Sequence, residues 1–258
     1  MNSSFISSML LTKNAWEDFF PGTSSNVLQK TEYTSWQTVS GTNVHITNCF
    51  FRSITSSSNG GAVCCTSATY FLVESSTFLT CKTTGGFGGA IYFSYSSGQC
   101  VLHKVCGNDC ITTNTGGSKY GQFAYISVYN TDSSKNYINY SSITRCVNVI
   151  QGSWYNVCLI NGKNCCPSMN ISMNQCDGRS AICLHPYTAS SNALCSLTYS
   201  TFADNKAPQY NCVALWRKCP NHEIKYCNIL RNTQNEGSEG IIYAGNSMTI
   251  ENSCILEN

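Results

Sequence analysis

The chain has 258 residues, of which 42% are apolar, so there is material for a sizeable core, yet only 11% are charged and the formal net charge is +2. An average soluble domain carries about 25% charged residues; here Ser, Thr and Asn supply the polarity, and they disfavour helices because they compete for backbone hydrogen bonds. The balanced charge, without a long run of one sign, excludes the clustered basic face that nucleic-acid binding requires, and no stretch reaches the roughly 18 apolar residues of a spanning helix.

Residues 1–41 stand outside any repeat. The start, Met1 to Lys13, lacks the positive region and the long apolar run of a secretory signal. Leu11 to Phe20 gathers Trp16, Phe19 and Phe20, and Pro21-Gly22 stops it. The expectation is either a cap over the open end of a solenoid, which such folds need, or a disordered segment.

From residue 42 to 258 one template recurs: an aliphatic residue, a Cys, Ser, Asn or Val three positions on, and Phe, Ile or Cys five positions on. It reads Ile46, Cys49, Phe51; Val73, Ser76, Phe78; Leu102, Val105, broken by Gly107; Ile138, Ser141, Ile143; Ile171, Asn174, Cys176; Leu197, Ser200, Phe202; Ile224, Cys227, Ile229; and Ile250, Ser253, Ile255. Successive first positions are 27, 29, 36, 33, 26, 27 and 26 residues apart, within the range of structural repeats. A second apolar element follows at fixed phase: Gly60-Gly-Ala-Val-Cys-Cys65, Gly88-Gly-Ala-Ile-Tyr-Phe93, Gln122 to Ile126, Asn156 to Ile160, Ala181 to Leu184, Cys212 to Trp216 and Gly240 to Tyr243. Inside each element the apolar period is near two, which is a strand signature.

One such turn cannot bury its inward side chains alone. Stacked turns set equivalent residues about 4.8 Å apart, so like side chains form internal ladders. The expected fold is therefore all-β, a right-handed parallel β-helix of about eight turns. One ladder would run from Ile46 through Val73, Leu102, Ile138, Ile171, Leu197 and Ile224 to Ile250. A second would run through Phe51, Phe78, Ile143, Cys176, Phe202, Ile229 and Ile255. A β-sandwich is the rival, but sandwiches rarely repeat two motifs at a locked offset. The chain stops inside a repeat, at Ser253-Cys-Ile-Leu-Glu-Asn258, and is read as a truncated segment.

Eighteen cysteines admit two readings: disulfides of an oxidising compartment, or small buried thiols. Cys64-Cys65 and Cys165-Cys166 are vicinal, so one of each pair should face the core and the other outward. Cys81, Cys110 and Cys146 share a phase eight residues after the strand start, which predicts a Cys ladder, either reduced or containing a bridge.

Gly60-Gly-Ala-Val and Gly88-Gly-Ala-Ile resemble the G-G-A-[ILV] motif of the polymorphic outer membrane protein type of repeat. Phe202-Ala-Asp-Asn205 matches its partner F-x-x-N, Ile229-Leu-Arg-Asn232 and Ile255-Leu-Glu-Asn258 are aliphatic variants, and Phe78-Leu-Thr-Cys81 puts Cys where Asn is expected. The resemblance covers roughly residues 42–258. It implies a pectin-lyase-like β-helix at the cell surface or outside the cell, as in bacterial autotransporter adhesins and the Cys-rich repeat surface proteins of parasitic protists. Its implied partner is a host surface protein or glycan, with membrane contact only through segments outside this chain.

The same fold also hosts polysaccharide lyases and hydrolases, so an enzyme and an internal repeat scaffold are the alternatives, because fold does not decide function. Sugar hydrolysis needs carboxylates about 5–9.5 Å apart. Asp109 and Asp204 share a phase but lie three turns apart, and Asp177 is one turn from Asp204 and one phase off. His45 has no acid in its own phase. His103-Lys-Val-Cys106-Gly-Asn-Asp-Cys110 holds half of a zinc pattern. No catalytic, metal or cofactor residue is expected. Trp154, Tyr155, Trp216 and Tyr243 are the candidate ligand contacts, against a packing role for each. Asn139-Tyr-Ser and Asn170-Ile-Ser, like Asn2-Ser-Ser, fit the glycosylation pattern.

Overall fold

A computed structural model describes residues 15–29, 32–114, 116–117, 119–187, 193–216, 219–235 and 240–258. Its strands form three long sheets, and all their pairings are parallel. Sheet one holds nine strands, from Asn26–Leu28 and Asn43–Thr47 to Met248–Glu251. Sheet two holds eight, from Phe50–Arg52 to Cys254–Leu256, and sheet three eight, from Gln37–Val39 to Ile242–Ala244. Each circuit of the chain contributes one strand to each sheet in that order, so this is a parallel β-helix. The template's eight rungs enclose about seven turns, one fewer than a count of first positions suggests.

A single residue makes each of the first two corners. Between sheets one and two these are Asn48, Ser75, Lys104, Tyr140, Ser168, Tyr199, Tyr226 and Asn252, at φ of 47 to 56°. After sheet two they are Ser53, Thr80, Asp109, Arg145, Met173, Asp204, Arg231 and Glu257, at φ of 51 to 57°. None is glycine, although a left-handed conformation costs an L-residue roughly 1–2 kcal/mol. Stacking compensates, because the corner amides continue the interturn ladder: Ser75 N–H donates to His103 O, Lys104 N–H to Asn139 O and Tyr140 N–H to Pro167 O, at 2.9 to 3.1 Å. In the early turns the third corner does use glycine, at Gly60, Gly88 and Gly121. Gly88 has φ of +69°, and a Cβ there would lie 2.1 Å from the Ile91 carbonyl oxygen.

The first ladder is as expected from Ile46 to Ile138, then takes Cys166 rather than Ile171 before Leu197, Ile224 and Ile250. Ile171 belongs to the second ladder, between Ile143 and Phe202. Cys176 lies further on, paired with Asn148. The five-residue slip has a simple cause. First and third template positions are both apolar, so in Cys166-Pro-Ser-Met169-Asn-Ile171 the isoleucine of the third place mimics the first.

Gly107 occupies the second ladder between Phe78 and Ile143, and its missing side chain is replaced from sheet three. The Phe123 ring sits where a Cβ on Gly107 would be, 2.4 Å away, and packs edge-on to Phe78 at 5.9 Å. Elsewhere the ladder stacks directly, as in Tyr33 on Phe51 and Phe51 on Phe78, at 4.8 and 4.6 Å; such pairs add about 0.5–1.5 kcal/mol beyond burial.

Two polar columns line the corners. At the template's middle position Ser76, Ser141, Ser200 and Ser253 alternate with Cys49, Val105, Met169 and Cys227. Each serine oxygen accepts the amide of the preceding rung at 3.0 to 3.1 Å. Eight residues after each first position stand Ile54, Cys81, Cys110, Cys146, Asn174, Asn205, Asn232 and Asn258. Here the Nδ2 groups of Asn174, Asn205 and Asn232 each donate to the next Oδ1 and to a carbonyl of the rung before, as Asn205 does to Asn232 and Ile171, both at 2.9 Å. Cys81, Cys110 and Cys146 fill the same column as free thiols, and Cys110 N–H donates to Cys146 Sγ at 3.4 Å.

The solenoid begins before residue 42. Asn26–Leu28 pairs with sheet one, Tyr33 bridges to Phe51, and Gln37–Val39 pairs with Val63–Cys65. A helix, Ala15–Phe19, precedes these strands, and residues 1–14 of the expected cap lie outside the described residues. The helix lies flat on the outside of sheet one, where Trp16 and Phe20 bury themselves against Leu72 and Val101, with Tyr70 and Tyr137 at the margin. Beneath Trp16, His45 Nε2 meets Glu74 Oε2 at 3.0 Å. That partner is diagonal, since His45 itself pairs with Leu72, so a search confined to one phase misses it. Among the described residues no helix is long and apolar enough to cross a membrane.

Candidate functional site

The outward residues of sheet three form one column: Thr38, Cys64, Tyr92, Tyr125, Cys158, Cys183, Ala214 and Tyr243. Three small side chains in succession, Cys158, Cys183 and Ala214, leave a depression between Tyr125 and Tyr243. The corner before each strand raises one wall, because Tyr120 pairs with Trp154 and Trp154 bridges to Arg179. The residues ending each strand raise the other: Ile160, His185 and Trp216. The result is a cavity of about 320 Å³ lined chiefly by aromatic rings, within the size range of small-ligand sites.

The walls are held firmly. Tyr155 turns outward from a left-handed backbone, φ 51°, and is almost fully buried. Its hydroxyl accepts from Trp216 Nε1 at 2.8 Å and donates to Asn211 Oδ1 at 3.3 Å. Burial pushes that phenol well up, so it stays protonated. Trp216 also packs on Tyr243 at 4.5 Å. The Arg179 guanidinium lies 4.3 Å from the Trp154 ring, 4.1 Å from Tyr210 and 5.0 Å from Trp216, a desolvated geometry in which each cation–π contact is worth about 1–2 kcal/mol. Among the described residues of the lining it is the only full charge, and none of them is a carboxylate.

Of the residues singled out from sequence, Trp154, Tyr155 and Trp216 thus come together in one cavity, while Tyr243 is outside the lining and packs on Trp216. Tyr120, Tyr125, Cys158, Arg179, Cys183 and His185 were missed. The available signal was the register of sheet three: aligned by its central apolar residues, the strands place small side chains at consecutive rungs.

The other candidates are dispersed. Asp204 forms a two-pronged pair with Arg231, at 2.8 and 2.9 Å on the surface, and that guanidinium holds its carboxyl below the usual range. Asp177 accepts instead from Gly152 N–H and Gln209, and Asp109 from Thr80. His103 Nδ1 meets Asn139 Oδ1 at 2.9 Å, while Cys106 faces solvent and Cys110 the core. Among the described residues, no three His, Cys, Asp or Glu side chains gather to hold a metal. Asn139 is buried and engaged with His103, whereas Asn170 is exposed; Asn2 lies outside the described residues. Cys65 and Cys166 face the core, and their neighbours Cys64 and Cys165 face outward.

In comparisons with known proteins, no family model, curated protein or solved structure matches this chain.

Proposed function

We propose that this chain is a non-catalytic β-helix segment of a cell-surface or secreted protein, an adhesin of the polymorphic outer membrane protein type, and that it binds a host glycan through the aromatic cavity on sheet three. The observation that carries the reading is the cavity itself, where aromatic walls locked by Tyr155 and Arg179 enclose a floor of small side chains. The apolar face of a sugar ring packs well on indole and phenol rings, and walls that are already ordered lose little entropy when a ligand arrives. Binding rather than hydrolysis fits the lining, whose described residues include no carboxylate to act as acid or base.

The test is an array of immobilised oligosaccharides probed with labelled wild-type chain beside Trp216→Ala. A buried aromatic anchor contributes about 2 kcal/mol or more, so the variant should lose roughly 30-fold in affinity. Retention of no oligosaccharide, or equal retention of both proteins, refutes the reading. Trp36→Ala, an exposed tryptophan in the first turn, serves as the control and should bind like wild type.

A further inference from the structure

Cys158 and Cys183 stand directly opposite each other on the adjacent parallel strands Val157–Ile160 and Ile182–His185. Both side chains point outward from sheet three, and both form the cavity floor. They pack in one side-chain cluster with Tyr155 and Ala214. Neighbouring strands lie about 4.8 Å apart, inside the Cα separation of about 4.4–6.8 Å that a disulfide spans.

No other cysteines of the chain combine these features. Cys81, Cys110 and Cys146 also stack, but inside the solenoid at zero exposure. The exposed Cys106 has Thr77 and Ser142 as cross-strand neighbours, and the exposed Cys254 has Asn228. Half-buried Cys165 sits between Tyr137 and Ser196, and Cys64 between Thr38 and Tyr92. An opposed thiol pair that lines the cavity, at 2% and 5% exposure, is therefore confined to Cys158 and Cys183.

We propose that Cys158 and Cys183 form a redox-active dithiol site that exchanges with small disulfides admitted through the aromatic cavity. One cysteine, deprotonated by solvent, attacks a sulfur of the small disulfide. The S–S bond of that molecule breaks, one thiolate leaves and takes up a proton, and a mixed disulfide remains on the protein. The second cysteine, deprotonated in turn, attacks the protein-bound sulfur and expels the second small thiolate, which is protonated. Two protein thiols are oxidised to one disulfide, and one small disulfide is reduced to two thiols. Burial pushes the Cys183 thiol well up, so the exchange quickens as pH rises. The site stands independently of what else the cavity binds.

The experiment is to incubate the native chain with oxidised glutathione, quench with acid, alkylate the remaining thiols and map the tryptic peptides by mass. Lys163 and Arg179 lie between the two cysteines, so trypsin leaves them on separate peptides. The expected product is a Cys158–Cys183 cross-linked pair lacking two hydrogen atoms and reversed by dithiothreitol, while Cys106 and Cys254 carry single glutathione adducts. Cys183→Ala should instead trap a stable glutathione adduct on Cys158. Alanine is accepted at this phase, since Ala214 occupies the next rung. The proposal is overturned if both cysteines remain fully alkylatable once Cys106 is modified, or if the variant leaves Cys158 unmodified.

Discussion

Replacing Asn205 by alanine should destabilise the solenoid by several kilocalories per mole, because one side chain serves three rungs. Its Oδ1 accepts the Asn174 backbone N–H at 3.1 Å and the Asn174 Nδ2 at 3.0 Å. Its Nδ2 donates to Ile171 O and to Asn232 Oδ1, both at 2.9 Å. After truncation the Asn174 side chain keeps its bond to Ile143 O, and Asn232 Oδ1 keeps the Asn205 amide, but the buried Asn174 N–H loses its acceptor. An orphaned buried donor costs about 1–3 kcal/mol, and a void larger than a methyl group adds about 1 kcal/mol. The total is about 2–4 kcal/mol. With a urea dependence of about 3 kcal/mol/M, the midpoint should fall by about 1 M, read by far-ultraviolet circular dichroism. Asn205→Cys should lose roughly half as much, because Cys146 already accepts the Cys110 amide in the same column and a thiol is a weak acceptor. A midpoint unchanged in Asn205→Ala, or a cysteine variant no better than the alanine one, would refute the reasoning.

Acid should weaken the fold near the N-terminal helix. Burial holds the His45 imidazole below its ordinary value of 6.5 despite the pull of Glu74, so between the folded and unfolded values the unfolded chain binds more protons. The contribution is complete above about pH 6.5, declines as pH falls below it, and levels off under the folded value. Urea midpoints between pH 5.5 and 7.5 should show the decline, and His45→Gln should flatten it; an equal slope in both proteins removes His45 as the cause. Placement outside the cell predicts that protease treatment of intact source cells abolishes the signal of an antibody to this segment before lysis, whereas protection until lysis would count against a surface role.

Much of the fold was legible because a solenoid writes its period into the chain. Ile46, Val73, Leu102 and Ile138 recur at one phase since each must bury the same inward position, and the Gly60-Gly61 and Gly88-Gly89 pairs mark a corner where a Cβ would strike backbone. The placement of Cys81 where Asn205 and Asn232 stand in other turns was also readable. Where the pattern misled, apolar residues were interchangeable: Cys166 served as the core residue and Ile171 took its title by resemblance. The swap of Gly107 for Phe123 was hidden for a related reason. Volume is conserved between sheets rather than along one ladder, and a linear pattern records only the ladder.

The sequence by itself determined the architecture, the parallel stacking and the phase of the strands, because these follow from periodic burial, which is a local property of each rung. Tertiary structure decided the course of the N-terminal helix along sheet one and the pairing of His45 with Glu74. It also decided the cavity, because Tyr120, Trp154, Arg179 and Trp216 come from different turns and different ends of their strands. A concave site depends on which side chains are small at adjacent rungs and large around them, as Cys158, Cys183 and Ala214 are beneath those walls. That relation exists only between turns, once stacking has set their register.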